Sequence, residues 1–219
     1  MGTYDSLRRD SDIKIYIERA DAALGALGYT EHSFAHVGRV AKVAGDLLRD
    51  LGMDEKTVEL SRIAGLLHDI GNVINRVDHS QSGALMAFRL LDRRGMPSED
   101  ICTVITAIGN HDEGTGVPVD SISAALILAD KSDVRRSRVR NHDMATFDIH
   151  DRVNYSVEKY RLVVESDEKI ARLELTIDTK FSSVMDFFEI FMKRMMLCRR
   201  AADRLGLTFQ LVINGQQLI

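Results

Sequence analysis

Apolar residues recur at helical spacing along the first two thirds of the chain and then switch to strict alternation. The first stretch predicts a helix over 11–27, with Ile13, Ile17, Ala20, Leu24 and Leu27 on one face and Gly28 as its stop. A second is expected after Thr30, read as its N-cap, with Val37, Val40, Ala44, Leu47 and Leu51 pointing inward up to Gly52. Asp54 caps a third, which carries Val58, Ile63, Leu66, Leu67 and Ile70 as far as Gly71. Further helices are predicted over 80–94, 98–110 and 121–138, starting at Ser80, at Ser98 behind Pro97, and at Ser121.

Past residue 150 the period becomes two. Segments 157–164 and 171–179 read as strands, the second alternating Leu173, Leu175 and Ile177, and Ser166-Asp167-Glu168-Lys169 joins them as a hairpin turn. A helix over 183–205 follows, and Leu207, Phe209, Leu211 and Ile213 alternate in a closing strand. On that helix Met192, Met195 and Met196 stand beside Phe187, Phe188 and Phe191, which reads as core packing. The expected fold class is mainly α: a helical bundle over 1–145 and a small C-terminal α+β unit, ββαβ, over 150–219.

Composition agrees with an ordered chain that has material for a core: 219 residues, 45% hydrophobic, 2 Pro and no Trp. A net charge of −4 gives no global pull toward nucleic acid or anionic membrane. The opening MGTYDSLRRDSD lacks the apolar core of a signal peptide, and the run ISAALILA at 122–129 is far short of the roughly 20 residues a bilayer demands. A cytoplasmic location is therefore expected. Cys102 and Cys198 have no CxxC partner, and each is read as a small buried hydrophobe.

Candidate chemistry lies in the helical part. His32 and His36, four apart and read as one helix face, are followed by His68-Asp69, His79, His111 and Asp130, so that 5 of the 7 histidines fall here. His68-Asp69 ends the apolar run AGLL, and Asp130 ends SAALILA. A carboxylate on an apolar background needs a compensating charge, and a divalent cation supplies one; Asp69, with two oxygens, could bridge two. Imidazoles mixed with acids suit Fe, Mn, Zn, Co or Ni better than Ca or Mg, although Asp-rich sets also accept Mg. Motifs of the serine hydrolases, zincins and P-loop proteins are absent.

The order H…HD…D on consecutive helices resembles the HD superfamily of metal-dependent phosphohydrolases. HVGRVAKVA at 36–44, HDIGN at 68–72, HSQSGA at 79–84, NHDEGTGVP at 110–118 and LADKSD at 128–133 look like the corresponding segments of its HD-GYP branch. The likeness covers about 30–135. The chain departs from that branch in a short Asp69-to-His79 connection, in Asn72 where a Lys often follows HDIG, in Asn110-His111 for a His pair, and in Gly116-Val117-Pro118 for GYP.

This resemblance implies an HD-type helical bundle around one or two divalent transition metal ions, Fe, Mn or similar. His36, His68, Asp69 and Asp130 would hold one ion, with Asp69 bridging to a second on His79 and His111 and an added contact from His32. The activity implied is hydrolysis of a phosphomonoester or phosphodiester, most plausibly of a nucleotide, by a metal-activated hydroxide in line with the leaving group. Asp69, Arg39 and Arg135 are then the catalytic candidates. Arg135, Arg136, Lys131 and Asn72 are the substrate-binding ones, because Arg forks match phosphate oxygens and 133–141 reads as a continuation of the Asp130 helix. Asp133 is expected to support the ligands, and Arg76 to be a weaker phosphate contact. The alternative function is a metal-containing nucleotide-binding or regulatory module with little turnover, and a third reading makes these residues purely structural. The expected partners are a small phosphate-containing substrate and a second copy of the chain in a homodimer. Residues 150–219 would mediate that assembly or cover the site.

Overall fold

A computed structural model describes residues 3–219. Ahead of the expected first helix, Thr3 caps a short one, α1 (Tyr4–Arg9), and Asp10 then caps α2 (Ser11–Ala26) by accepting from the N–H groups of Asp12 and Ile13. The next helix, α3 (Phe34–Asp50), begins at Ser33 and not at Thr30. Residues between α2 and α3 stay out of helix because their N–H groups serve distant partners: Glu31 donates to the Arg138 carbonyl at 2.8 Å and His32 to the Asp21 carboxylate at 2.6 Å. His32 therefore precedes the helix that carries His36.

Asp54 caps α4 (Glu55–Leu67) through the N–H groups of Lys56 and Thr57, as its sequence requires. The chain then tightens into a 3-10 turn over Ile70–Val73. Gly71 is obligatory in that turn, because a Cβ there would lie 2.0 Å from the His79 carbonyl oxygen. α5 (His79–Asp92) starts one residue before Ser80, launched by Asp78 in the left-handed region at φ 55. α6 (Ser98–Gly109) follows Pro97, and α7 (Ser121–Ser132) is held by a capping box between Asp120 and Ser123, so Asp120 is the cap and Ser121 the first helical residue. Helix α7 stops well before 138. Asp133 leaves the helical region at ψ 75 because its carboxylate serves His36 and Arg135 while its carbonyl accepts from Arg138.

After α8 (Ile149–Ser156) come β1 (Val157–Glu165), β2 (Ile170–Ile177), α9 (Val184–Arg204), β3 (Thr208–Ile213) and a two-residue β4 (Gln216–Gln217). The sheet runs β1-β2-β3-β4. β1 and β2 form the antiparallel hairpin, with Leu162 opposite Leu173, and β2 lies parallel to β3, with Leu173 opposite Leu211. A parallel neighbour needs a crossover, and α9 supplies it. The expected ββαβ order is present, extended by β4 through a turn at Asn214 and Gly215.

α9 is amphipathic along its whole length. Phe187, Phe191, Met195, Cys198 and Ala202 are buried on a face that meets β3 on one side and α7 on the other. One apolar core therefore runs from Val37 and Leu66 of the bundle through Leu126 to Met195 and Leu211. Cys198 lies in it, whereas Cys102 is exposed: on α6 it falls beside the inward stripe of Ile101 and Val104. Among the described residues no helix is long and apolar enough to cross a membrane.

Candidate metal centre

Helices α3 and α4 cross at very short range because Gly65 presents no side chain; a Cβ there would stand 2.6 Å from the Ala41 Cα. That crossing sets His36, midway in the first turns of α3, against His68 at the end of α4, with ring centroids 5.3 Å apart. The 3-10 turn after His68 swings Asp69 beside both and leads to His79 at the start of α5. The ends of α6 and α7 bring in His111 and Asp130. All six side chains are buried.

Each imidazole is held by the nitrogen that faces away from the others. Nδ1 of His68 lies 2.9 Å from the Gly65 carbonyl, that of His79 3.1 Å from the Arg76 carbonyl, and that of His111 2.6 Å from the Ile108 carbonyl. His36 Nδ1 meets the Asp133 carboxylate at 2.8 Å. A carbonyl or carboxylate only accepts, so each Nδ1 carries a proton, and each Nε2 faces inward and offers a lone pair whenever its ring is neutral. Nε2 of His36 and of His68 are buried and, among the described residues, lack a well-aligned hydrogen-bond partner, facing only the Asp69 and Asp130 carboxylates. Two buried imidazole nitrogens aimed at the same two carboxylates suit a shared cation.

The inward atoms fall into two groups sharing Asp69. Asp69 Oδ2 is 3.1 Å from His68 Nε2 and 3.6 Å from His36 Nε2, and Asp130 Oδ1 is 3.3 Å from His36 Nε2 and 3.7 Å from His68 Nε2. Donors about 2.1 Å from one ion stand about 3.0 to 3.4 Å apart, so this quartet has the spacing of a first coordination shell. The second group is looser: Asp69 Oδ1 is 3.6 Å from His79 Nε2 and 3.9 Å from His111 Nε2, while these two nitrogens are 3.2 Å apart. The donor set, nitrogen-rich with bridging carboxylate, fits a divalent transition metal.

Electrostatics agrees with that fit. Burial alone would raise the Asp69 carboxyl, but the His68 charge and hydrogen bond dominate and hold it well below the usual carboxylate range. Asp130 behaves likewise, with burial opposed first by Lys131 and then by His36 and His68. Burial pushes His111 and His32 well below the ordinary histidine value, keeping them neutral and able to ligate. Burial pulls on His68 in the same direction, yet Asp69 and Asp130 outweigh it and drive it up to about 10. A proton on His68 and a divalent cation would answer the same buried negative charge.

Asp69, His79, His111 and Asp130 of the centre line a cavity of about 420 Å³ together with Tyr29, Arg76, Lys131, Arg138 and Arg194. Lys131 Nζ is 2.7 Å from Asp130 Oδ2 and 3.5 Å from Glu113, and Arg194 Nε meets Glu113 at 2.8 Å. Burial would lift the Glu113 carboxyl, but Arg194 and Lys131 bring it down to about 2.

The HD domain family model matches residues 33–153, which takes in all six of these clustered side chains. The chain belongs to the HD family. Its relatives include an uncharacterized protein of Methanocaldococcus jannaschii, 24% identical over 81% of this chain and 76% of that protein. Two proteins named ribonuclease Y also match: that of Acholeplasma laidlawii at 32% identity over 54% of this chain and 21% of the relative, and that of Thermus thermophilus at 29% over 70% and 23%. The chain thus spans about a fifth to a quarter of these ribonucleases. No solved structure matches it. HD domains bind divalent metals, and the buried cluster here is of a kind that holds one.

Around the HD centre, the six expected ligands come together, and His32 stands beside them with its ring 5.4 Å from that of His36, though from the loop before α3. The arginine candidates are distributed differently from the expectation. Arg39 is exposed and lies over the Tyr160 ring at 6.0 Å, outside the cavity wall. Arg135 is spent on both Asp133 oxygens, at 2.6 and 3.0 Å, and reaches Glu31 at 3.4 Å. Arg136 stacks on Tyr155 at 4.5 Å and bonds the Tyr155 carbonyl. Because α7 ends at Ser132, the run after it does not project along a helix toward the centre; it turns back as a strap. Asn72 donates to the Asp69 backbone carbonyl at 2.9 Å and to Asp69 Oδ1 at 3.0 Å, so it positions a ligand.

The cavity residues that sequence reasoning missed are Glu113 and Arg194, together with Asp112, whose Oδ1 lies 3.9 Å from His79 Nε2. Asp112 and Glu113 directly follow His111, a visible signal. Arg194 had none, being one cation among several on an amphipathic helix. Arg138, submerged in the arginine run, is the buried one: its Nε and Nη1 go to the Glu31 and Asp133 carbonyls at 2.8 and 2.7 Å, and among the described residues it has no carboxylate partner.

Proposed function

We propose that this chain is a metal-dependent phosphohydrolase that acts on a phosphate ester of a nucleotide. The observation that carries the reading is the convergence of four Nε2 lone pairs, each fixed by a satisfied Nδ1, on the oxygens of Asp69 and Asp130. His36, His68, Asp69 and Asp130 would hold one ion and Asp69, His79 and His111 a second. Divalent ions bound there supply Lewis acidity and counter-charge for a phosphoryl group.

The chain's own residues provide the rest. Asp133 receives the His36 proton and fixes that ring, and Arg135 fixes Asp133 in turn. Arg138 offers a guanidinium whose Nη2 has no protein acceptor and whose charge has no carboxylate partner, on the wall next to Asp130. It is suited to a phosphoryl oxygen. Lys131 balances Asp130 against Glu113. Relatives named ribonuclease Y favour a phosphodiester among the candidate substrates, since a nuclease cuts a diester.

A second reading, a nucleotide-binding module with little turnover, is favoured by one contact: Arg76 Nη1 lies 3.4 Å from His79 Nε2, so a side-chain cation stands where the second group of donors opens. Phosphate release from a nucleotide panel with added Mn or Fe separates the two readings. Turnover abolished by Asp69→Ala and by His68→Ala supports the hydrolase. Metal retained without turnover on any nucleotide refutes it in favour of the module.

A further inference from the structure

The C-terminal unit does not stand apart from the centre. Three arginines of α9 hold the loop that follows ligand His111: Arg194 bonds Glu113, Arg200 reaches the Gly116 carbonyl at 3.4 Å, and Arg204 reaches the Val119 carbonyl at 2.6 Å. The same helix lends Ile190, Phe191 and Arg194 to the cavity wall. The guanidinium of Arg194 lies 4.5 Å over the Phe191 ring and gives only its Nε to Glu113; among the described residues Nη1 and Nη2 have no hydrogen-bond acceptor. Three ion pairs in series link Arg194 to Asp130, through Glu113 and Lys131. Arg194 and Arg138 therefore line the same cavity, with Arg194 joined to the centre only through Glu113 and Lys131.

The volume sets the scale of what enters. About 420 Å³ lies within the roughly 300–1,000 Å³ of small-molecule sites. A single-stranded nucleic acid wants instead an open groove with successive stacking platforms over several nucleotides.

We infer that α9 is a specificity element of this active site, with Arg194 receiving a second anionic group on a small, nucleotide-sized phosphate ester. The inference rests on the hydrolase reading for the place of the first phosphate. Glu113 and Phe191 are positioning residues: Glu113 fixes the guanidinium by its Nε and Phe191 supports its face, which leaves the Nη pair as a fork for a phosphate or carboxylate.

The test is calorimetric binding to the metal-loaded full chain of nucleoside monophosphates and diphosphates of all common bases, with wild type, Arg194→Gln and Arg194→Lys. Wild type should bind diphosphates about tenfold or more tighter than the matching monophosphates. Arg194→Gln should erase that ratio, and Arg194→Lys, which keeps charge but not the fork, should restore part of it. Circular dichroism identifies a variant that fails to fold, in which case the wild-type ratio alone decides. Equal affinity for both classes in wild type, an unchanged ratio in Arg194→Gln, or no binding of any nucleotide would overturn the inference. Binding with the predicted ratio but no turnover would leave it standing and remove the hydrolase reading. Turnover without the ratio would do the reverse.

Discussion

Asp133 Oδ2 lies 2.8 Å from Nδ1 of His36, which ties the end of α7 to the first turns of α3 behind the metal-facing nitrogen. Removing such an outer partner costs about 10- to 100-fold in metal affinity in sites of this kind. Asp133→Ala should show that loss in competition against a chelator. Asp133→Asn should lose less, because its amide oxygen still accepts the Nδ1 proton.

Arg76 contacts His79 Nε2, the atom that the second donor group would offer to an ion. Arg76→Ala takes away both the steric occupant and a positive charge. Metal per chain, measured by elemental analysis after loading with Mn, should rise toward two in this variant relative to wild type.

Helix crossings here depend on one hydrogen atom. Gly65→Ala places a Cβ 2.6 Å from the Ala41 Cα and 2.7 Å from its nitrogen, both backbone, so α3 and α4 must separate. Overpacking of this kind costs about 1–3 kcal/mol, and because His36 and His68 ride on the two helices, metal affinity should fall with stability. Gly38→Ala, in the same helix α3 with open space around it, should instead stabilise by about 1 kcal/mol. Denaturant midpoints of the two variants should move in opposite directions.

The two cysteines should differ in reactivity. Burial pushes the Cys198 thiol from 9.0 up to about 12, against the pull of Arg194 and Lys131, while Cys102 is exposed. Because the thiolate is the nucleophile, iodoacetamide at pH 8 should modify Cys102 alone in the folded protein and both residues in denaturant, as read by mass spectrometry. For stability the sign is that of a raised folded pKa. The contribution of Cys198 is complete below about pH 9, where both states are neutral, and is lost between about 9 and about 12 as only the unfolded thiol ionises.

Much of the bundle could be read from the chain because local rules decide it: Asp54 caps α4, Pro97 precedes α6, and alternation at Leu173, Leu175 and Ile177 marks β2. The cluster that His68, Asp69 and Asp130 join was legible for a related reason, as polar residues placed where an apolar run ends. What escaped was decided by partners far away. α7 reads as continuing to 138, but Asp133 is drawn off by His36, 97 positions earlier. Arg135 and Arg136 looked like phosphate ligands, and only the position of Asp133, Glu31 and Tyr155 reveals that they are already engaged. Arg194 enters the site because α9 packs on α7, a relationship carried by Phe187, Met195 and Cys198, which on the page of the sequence announce a core and nothing more.

The most direct test of the metal centre is the metal content of chain purified without chelator and loaded with Mn or Fe, compared with Asp69→Ala of verified helical content. The account predicts one to two ions per chain in wild type and near-complete loss in the variant, since Asp69 belongs to both donor groups. Wild type that stays metal-free under every loading condition, or Asp69→Ala that retains its metal, would contradict it.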